Sequence, residues 1–208
     1  LDVVGSEGHH VAKVVSGKDS GIYDAMNKGI ALATGDVIGF LNADDFYASP
    51  NVISDIASAF SSEEIDSCYG DLCYVNQVAI ERVVRYWKAG KFQVGSFSNG
   101  WVPPHPTFFV RRSIYKKFGG FNTNFRIAAD FELMARFLEA NRISTIYIPK
   151  VLVHMRLGGE SNKSLKNIYL QNVEIQRALA SHNIRSNFFL FMLYKIFRRG
   201  IQFFGNPT

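Results

Sequence analysis

A run of five apolar residues, Val37 to Leu41, ends without transition in Asn42-Ala43-Asp44-Asp45, and no other stretch limits the fold so tightly. Five residues suit a strand, and unbroken apolarity suits one covered on both faces, as in a sheet with helices above and below. Upstream, Ile22, Met26, Ile30 and Ala33 recur at spacings of four, four and three, which predicts an amphipathic helix leading into that strand. An α/β fold follows, with an amide and two adjacent carboxylates at the strand's carboxyl end. In open α/β sheets that edge is where ligands bind. Carboxylates so close repel each other unless a cation or hydrogen-bond donors offset the charge. A solvated turn is the plainer alternative, because Asn and Asp are ordinary turn residues.

Around this core the chain reads as alternating elements. Ala12 to Ser16 is expected to be a short strand, and Gly17 to Gly21 a polar loop that opens the first helix, with Asp19 or Ser20 as its cap and Gly35 just past its end. Such a loop aims free N–H groups and the positive end of the helix dipole at an anion such as a phosphate. Ser49-Pro50 starts a second helix that buries Val52, Ile53, Ile56, Ala59 and Phe60. Cys68–Val75 and Ala79–Tyr86 form a hairpin candidate about Asn76-Gln77, and Thr107–Val110 is a further strand. Ser113 can cap helix 114–118, which Gly119-Gly120 stops. Asp130 then falls at the N-terminus of a helix with Leu133, Met134, Phe137 and Leu138 as its buried stripe. The dipole favours a charged carboxylate there, whether it serves as a cap or as a base. Ser144–Ile148 and Lys150–Met155 are expected as final strands about Pro149, followed by a flexible loop carrying Arg156 and a helix, Leu165 to Ala180, leading away from the domain.

Residues 87–106 are a long irregular stretch rich in aromatics, among them Trp87, Phe92, Phe97 and Trp101, with His105 held between prolines. Loops of this length in a compact domain are functional or disordered, and the aromatic content argues against disorder. They either cover a pocket, where flat rings suit the C–H faces of sugars, or pack on the core. The chain of 208 residues, 47% hydrophobic and 20% charged, fits one sizeable globular domain with an appendage. Cys68 and Cys73 lack metal-ligand spacing, so a reduced, buried pair in a cytoplasmic setting is expected.

The net charge of +5 has a definite location. No acidic residue follows Glu174, whereas Arg177, Arg185, Lys195, Arg198 and Arg199 do, so residues 1–174 are formally neutral. Nucleic-acid binding across the main domain therefore has no electrostatic footprint. In the last stretch Leu193, Phe197, Gly200 and Phe204 share one face and Lys195, Arg198, Arg199 and Gln202 another. The apolar run Phe188–Tyr194 has seven residues, against the roughly 20 needed to span a bilayer. A basic amphipathic helix in the headgroup layer is one reading, and a helix docked on the domain or on a second subunit is the other.

Taken together, Asp19-Ser-Gly-Ile-Tyr-Asp-Ala-Met-Asn-Lys-Gly29, Ala33-Thr-Gly-Asp-Val-Ile-Gly-Phe-Leu-Asn-Ala-Asp-Asp45, Gly119-Gly-Phe121, Ala129-Asp-Phe-Glu-Leu133 and His154-Met-Arg156 closely resemble the family 2 glycosyltransferases of the GT-A fold. The resemblance runs from about residue 10 to about residue 165, and its strength lies in the order of the motifs. It implies a mixed, Rossmann-like sheet flanked by helices in residues 1–165, with 166–208 as C-terminal helices. It also implies inverting transfer of a sugar from a nucleotide-diphosphate donor. Asn42-Ala43-Asp44 takes the place of the family's Asp-x-Asp motif, with an amide for the first acid. Asp44 and Asp45 would hold Mg²⁺ or Mn²⁺, hard cations for carboxylate and phosphate oxygens. Asp130 corresponds to the catalytic base, with Ala129 where the family has Glu. Asp19, Gly21, Asn27, Asn42, Asp44 and Arg156 match donor-contacting positions, and Trp101 and His105 lie in the acceptor-facing region.

Nothing before Ala12 resembles the family's first two strands, so an N-terminally incomplete domain is expected. The expected acceptor is a saccharide or a polyprenyl-linked saccharide in bacterial surface polysaccharide synthesis, with the tail at the inner face of the membrane. Two other readings stay open: a nucleotidyltransferase, which also sets acids at a strand end, and a non-catalytic binding module.

Overall fold

The computed structural model describes residues 11, 13–157, 165–203 and 205. Its sheet is organised around β3 (Ser67–Val75), buried throughout except for half-buried Tyr74. One edge of β3 pairs in parallel with β6 (Thr145–Arg156). The other edge is shared by β5 (Phe109–Arg111), antiparallel at the Ser67 end, and β4 (Val83–Trp87), antiparallel at the Val75 end. β1 (Val37–Ile38) pairs with β5 and β2 (Phe46–Tyr47) with β6, which gives the order β1-β5-β3-β6-β2. Gly70 lets Leu152 cross the sheet at close range, since a Cβ there would lie 2.5 Å from Leu152 Cγ.

Helices cover both faces. On one, α2 (Val52–Ala59) sets Val52 and Ile56 against Cys68, Leu72, Phe109, Ile148 and Leu152. On the other, Tyr69 and Val110 underlie Phe97, Trp101, Phe108 and a group of helices. These are α1 (Ile22–Leu32), α3 (Arg112–Phe118) and α4 (Ala129–Met134), which winds on as a π-helical segment to Ala140. The group also takes in α5 (Leu165–Ser181) and α6 (Phe188–Ile201). The predicted stripe of α4 is fully present, Leu133, Met134, Phe137 and Leu138 all being buried. Each such side chain contributes about 1.5–3 kcal/mol through burial. Cys68 and Cys73 are free and buried, and burial pushes their thiols up to about 12 and about 11.

Several sequence expectations are corrected. Residues 13–16 are irregular with Val14 and Val15 exposed, because no described strand pairs with them, and Ala12 lies outside the described residues. The strand expected over Val37–Leu41 pairs only at Val37 and Ile38. Beyond them the ring of Phe109 crosses the backbone of Gly39, where a Cβ would sit 2.2 Å from it. Ile22 and Ile53 are exposed; the inward stripe of α1 is Tyr23, Met26, Ile30 and Ala33. Gly21, at φ 122°, caps α1, while the Ser20 N–H donates to Asp24. Arg111 precedes α3 and Ala128 precedes α4, so Ser113 and Asp130 are first-turn residues rather than caps.

The hairpin is real, but β4 starts at Val83, since Asn76 Oδ1 folds the loop by accepting from the N–H groups of Val78 and Ala79. The two last strands are one, β6. Ile148 faces Gly70 and Val151 faces Asp71, so Pro149 and Lys150 bulge out, where a residue without N–H is tolerated. α5 does not leave the domain: Ile175, Ala178 and Leu179 are in its core.

Candidate active site

β1 and β3 each run antiparallel to β5, and β3 runs parallel to β6. Their carboxyl ends therefore open on one edge, and the acidic turn after β1 shares that edge with Arg156, the last residue of β6. Within the turn the backbone N–H of Asp45 donates to the carbonyl of Asn42 at 3.1 Å, and Nδ2 of Asn42 donates to Oδ2 of Asp45 at 2.8 Å. An amide at position 42 can hold its neighbour in this way, whereas a carboxylate would repel it. Asp44 is exposed beside it, and Asp45 is buried with Oδ1 lacking any hydrogen-bond partner.

Burial raises the Asp45 carboxyl above the usual carboxylate range, the Asn42 hydrogen bond opposes this, and the Asp44 charge adds to it. The backbone N–H of Arg156 and then its cation partly offset the cost; the guanidinium lies 5.8 Å from the ring of Phe46, with Nε buried and unpartnered. A buried carboxylate oxygen without a partner, next to an exposed carboxylate, is a donor set that fits a hard divalent cation. Among the described residues no group of three or more His, Cys, Asp or Glu is placed to hold a metal. Two carboxylates plus phosphate oxygens of a ligand are the set Mg²⁺ commonly takes. Arg156 belongs to a strand rather than to a flexible loop, and residues 158–164 lie outside the described residues.

Asp130 is half-buried in the first turn of α4. Its Oδ1 accepts from the N–H of Phe131 at 2.8 Å and lies 3.2 Å from the Tyr23 hydroxyl. A chain of rings joins it to the acidic turn. Tyr23 stacks on Phe121 at 5.5 Å, Phe121 meets Phe40 edge-on at 5.3 Å, and Phe40, two residues before Asn42, stacks on His105 at 5.9 Å. Burial lowers the pKa of His105, against the charge of Asp130. From α5, buried Glu174 accepts the N–H groups of Arg126, Ile127 and Ala128 at 2.8–2.9 Å and so fixes the loop that delivers Asp130.

The remaining candidates divide. His105 packs its ring against Phe40 and Phe121 and is near enough to Asp130 to feel its charge. Trp101 is only 6% exposed, with its indole N–H given to the carbonyl of Ala89, so it packs in the core and offers no open face. Asn27 spends both ends of its amide on Phe121, donating to its carbonyl at 2.9 Å and accepting its N–H at 2.8 Å. It therefore clamps the Gly119-Gly120-Phe121 segment instead of facing a donor. Asp19 pairs with Lys28, and Gly21 turns the loop into α1. A cleft of about 480 Å³ between Asp36, Glu63, Arg111 and Lys116 contains none of the candidates. The sequence reading overlooked Tyr23 and Glu174. Tyr23, Met26, Asn27 and Ile30, at i, i+3, i+4 and i+7, marked the true face of α1, whereas nothing local marked Glu174.

Comparison with known proteins identifies the family and the fold. The family described as Glycosyl transferase family 2 matches residues 3–127. A "PGL/p-HBAD biosynthesis glycosyltransferase" of Mycobacterium bovis is 28% identical over 163 residues, 77% of this chain and 61% of that protein. An uncharacterized glycosyltransferase of Mycobacterium tuberculosis is 34% identical over 125 residues, 57% of this chain and 44% of its own length. Among solved structures, S. aureus TarS 1–349 in complex with UDP aligns at TM-score 0.58 and 16% identity, over 89% of this chain and 53% of that one. A mannosyltransferase from Pyrobaculum calidifontis, in complex with GDP-Man and Mn²⁺, aligns at TM-score 0.57 and 14% identity, over 94% and 55%. The chain thus spans between 44% and 61% of the length of these relatives, and its fold is the α/β GT-A fold.

Proposed function

The chain belongs to glycosyl transferase family 2, and on that premise we propose that it transfers a sugar, with inversion, from a nucleotide-diphosphate donor to a hydroxyl acceptor. The observation that carries this reading is the ring chain Phe40–His105–Phe121–Tyr23, which ties the acidic turn at Asp44-Asp45 to Asp130. Asp130 takes the proton from the acceptor hydroxyl as its oxygen attacks the anomeric carbon from the face opposite the leaving diphosphate. Such a base contributes roughly 10²–10⁴-fold. Asp44 and Asp45 would hold Mg²⁺ or Mn²⁺, which supplies charge neutralisation on the departing nucleoside diphosphate. Arg156 adds a fixed positive charge at the same edge, and Asn42 orients Asp45. Asp19 and Gly21 border the donor from the loop before α1, and His105 borders the acceptor.

The likeness to a mycobacterial "PGL/p-HBAD biosynthesis glycosyltransferase" supports a biosynthetic role in a bacterium, and we infer a saccharide or lipid-linked acceptor in surface-glycan assembly, at the cytoplasmic face of the membrane. Nucleotide-sugar turnover with Mn²⁺ tests the assignment. Asp130→Asn and Asp44→Ala should each abolish transfer while the proteins remain folded, and normal turnover in both would reject Asp130 as base and Asp44 as metal ligand. Release of pyrophosphate from a nucleoside triphosphate and a sugar phosphate would instead identify a nucleotidyltransferase.

A further inference from the structure

α6 is docked along one side only. Phe191 is buried against Gly100, Lys195 donates to Asn172 at 2.7 Å, and the carbonyl of Gln202 receives the N–H of Tyr86 at 2.9 Å. Burial, with the repulsion of Arg199, lowers the Lys195 ammonium to about 8. The predicted basic face is thus split, Lys195 being used for docking. The outward side is of another kind: Phe189, Leu193, Ile196 and Phe197 are 85, 63, 66 and 65% exposed. At about 100° per residue these four fall on one side of the helix, with no charged residue among them. Arg198 and Arg199 border the docked side, where long side chains can reach past an apolar layer to a phosphate.

We propose that this outward face of α6 is a lipid-surface contact, lying in the headgroup region of an anionic membrane with the domain held above it. An apolar helical face this continuous is beyond ordinary surface scatter. Among the described residues no helix is long and apolar enough to cross a bilayer, so the helix lies on the surface rather than across it. Charge decides between a membrane and a second copy of the chain. The helix carries Lys195, Arg198 and Arg199 and no acid, a charge that an anionic lipid surface complements and a second copy of the same helix would only repeat. The contact rests on the transfer reading only for its purpose, which is to bring the site to a lipid-linked acceptor.

The test is co-sedimentation of the full chain with phosphatidylcholine vesicles with and without phosphatidylglycerol. Binding is expected on the anionic vesicles and should weaken with salt. The double substitution Leu193→Glu/Phe197→Glu should reduce it at least ten-fold, with circular dichroism and melting temperature unchanged, and Arg198→Ala about five-fold on anionic vesicles alone. Equal partitioning of the double variant and the parent would overturn the proposal. So would a parent dimer in analytical ultracentrifugation that the double variant dissolves. Sugar transfer to a soluble acceptor without vesicles should be the same in parent and double variant. Its absence from both rejects the transfer reading and leaves the membrane result standing.

Discussion

The hydroxyl of Tyr23 lies 3.2 Å from Oδ1 of Asp130 and 2.8 Å from the carbonyl oxygen of Ile127. One phenolic proton thereby serves the loop before α4 and the carboxylate in its first turn. Burial, and then the Asp130 charge, push the Tyr23 hydroxyl far above its ordinary value, so it stays protonated and donates. α1, read from sequence as the helix beneath a donor loop, also supports the base.

Tyr23→Phe keeps the ring on Phe121 and removes only the hydroxyl. The expected result is a fall in kcat of about ten-fold, the worth of one hydrogen bond near a charge, with donor KM unchanged. An equal loss in donor affinity would place Tyr23 on the donor side instead.

Metal and proton compete at Asp45. Its carboxyl is held above the usual range by burial and by Asp44, and a divalent cation favours the charged form. Affinity for Mn²⁺ in the presence of UDP should therefore rise with pH through the acid range, as read by calorimetry at pH 5 and pH 7. Asp45→Asn should flatten that dependence and weaken binding. An unchanged profile would remove Asp45 from the ligand set.

For Asn27→Ala a structural outcome is expected. The substitution leaves the N–H and carbonyl of Phe121 without their partner, which costs about 1–3 kcal/mol for each group left buried and unpaired. The melting temperature should fall while donor KM, measured on the folded fraction, stays the same. A raised KM at unchanged stability would restore the donor role.

Acid stability should depend on Glu132. Burial pushes its carboxyl up, but hydrogen bonds from His182 and Arg136 outweigh this and hold it below the usual range. A depressed carboxyl stabilises the fold above its unfolded pKa, near 4.5, and that stability is lost as pH falls through the folded value. Arg136 also donates to the carbonyls of Gly119 and Gly120, so the pair supports the turn next to Phe121. Glu132→Gln should destabilise the protein by about 3–5 kcal/mol at neutral pH and flatten the loss of stability in urea titrations below pH 5. A variant whose stability still falls as steeply would assign the acid sensitivity to another carboxylate.

The legible parts were those with a local signature. Leu133, Met134, Phe137 and Leu138 announced their helix by spacing, and Asn42 to Asp45 announced a turn of hard oxygen donors. Misreadings arose where two local patterns competed. Ile22 and Tyr23 are equally good starts for an inward stripe, and only Phe121 and the loop at Ile127 select Tyr23. Asp130 looked like a cap because Asp is a good cap, yet the backbone places Ala128 there. Trp101 in its loop and Asn27 on its helix suit a binding site as well as they suit structural packing, and their partners, Ala89 and Phe121, decide for packing.

From its residues alone this chain had an α/β sheet, a helix before and after the acidic turn, and a basic, apolar tail, because periodicity and charge are properties of neighbours in sequence. Tertiary structure decided which oxygen of Asp45 is left without a partner, which residues of α1 reach Asp130, and which side of α6 is spent on docking. Those facts depend on contacts between residues more than 100 positions apart, Tyr23 with Asp130 and Tyr86 with Gln202 among them, and burial acts on a side chain through whatever surrounds it in space.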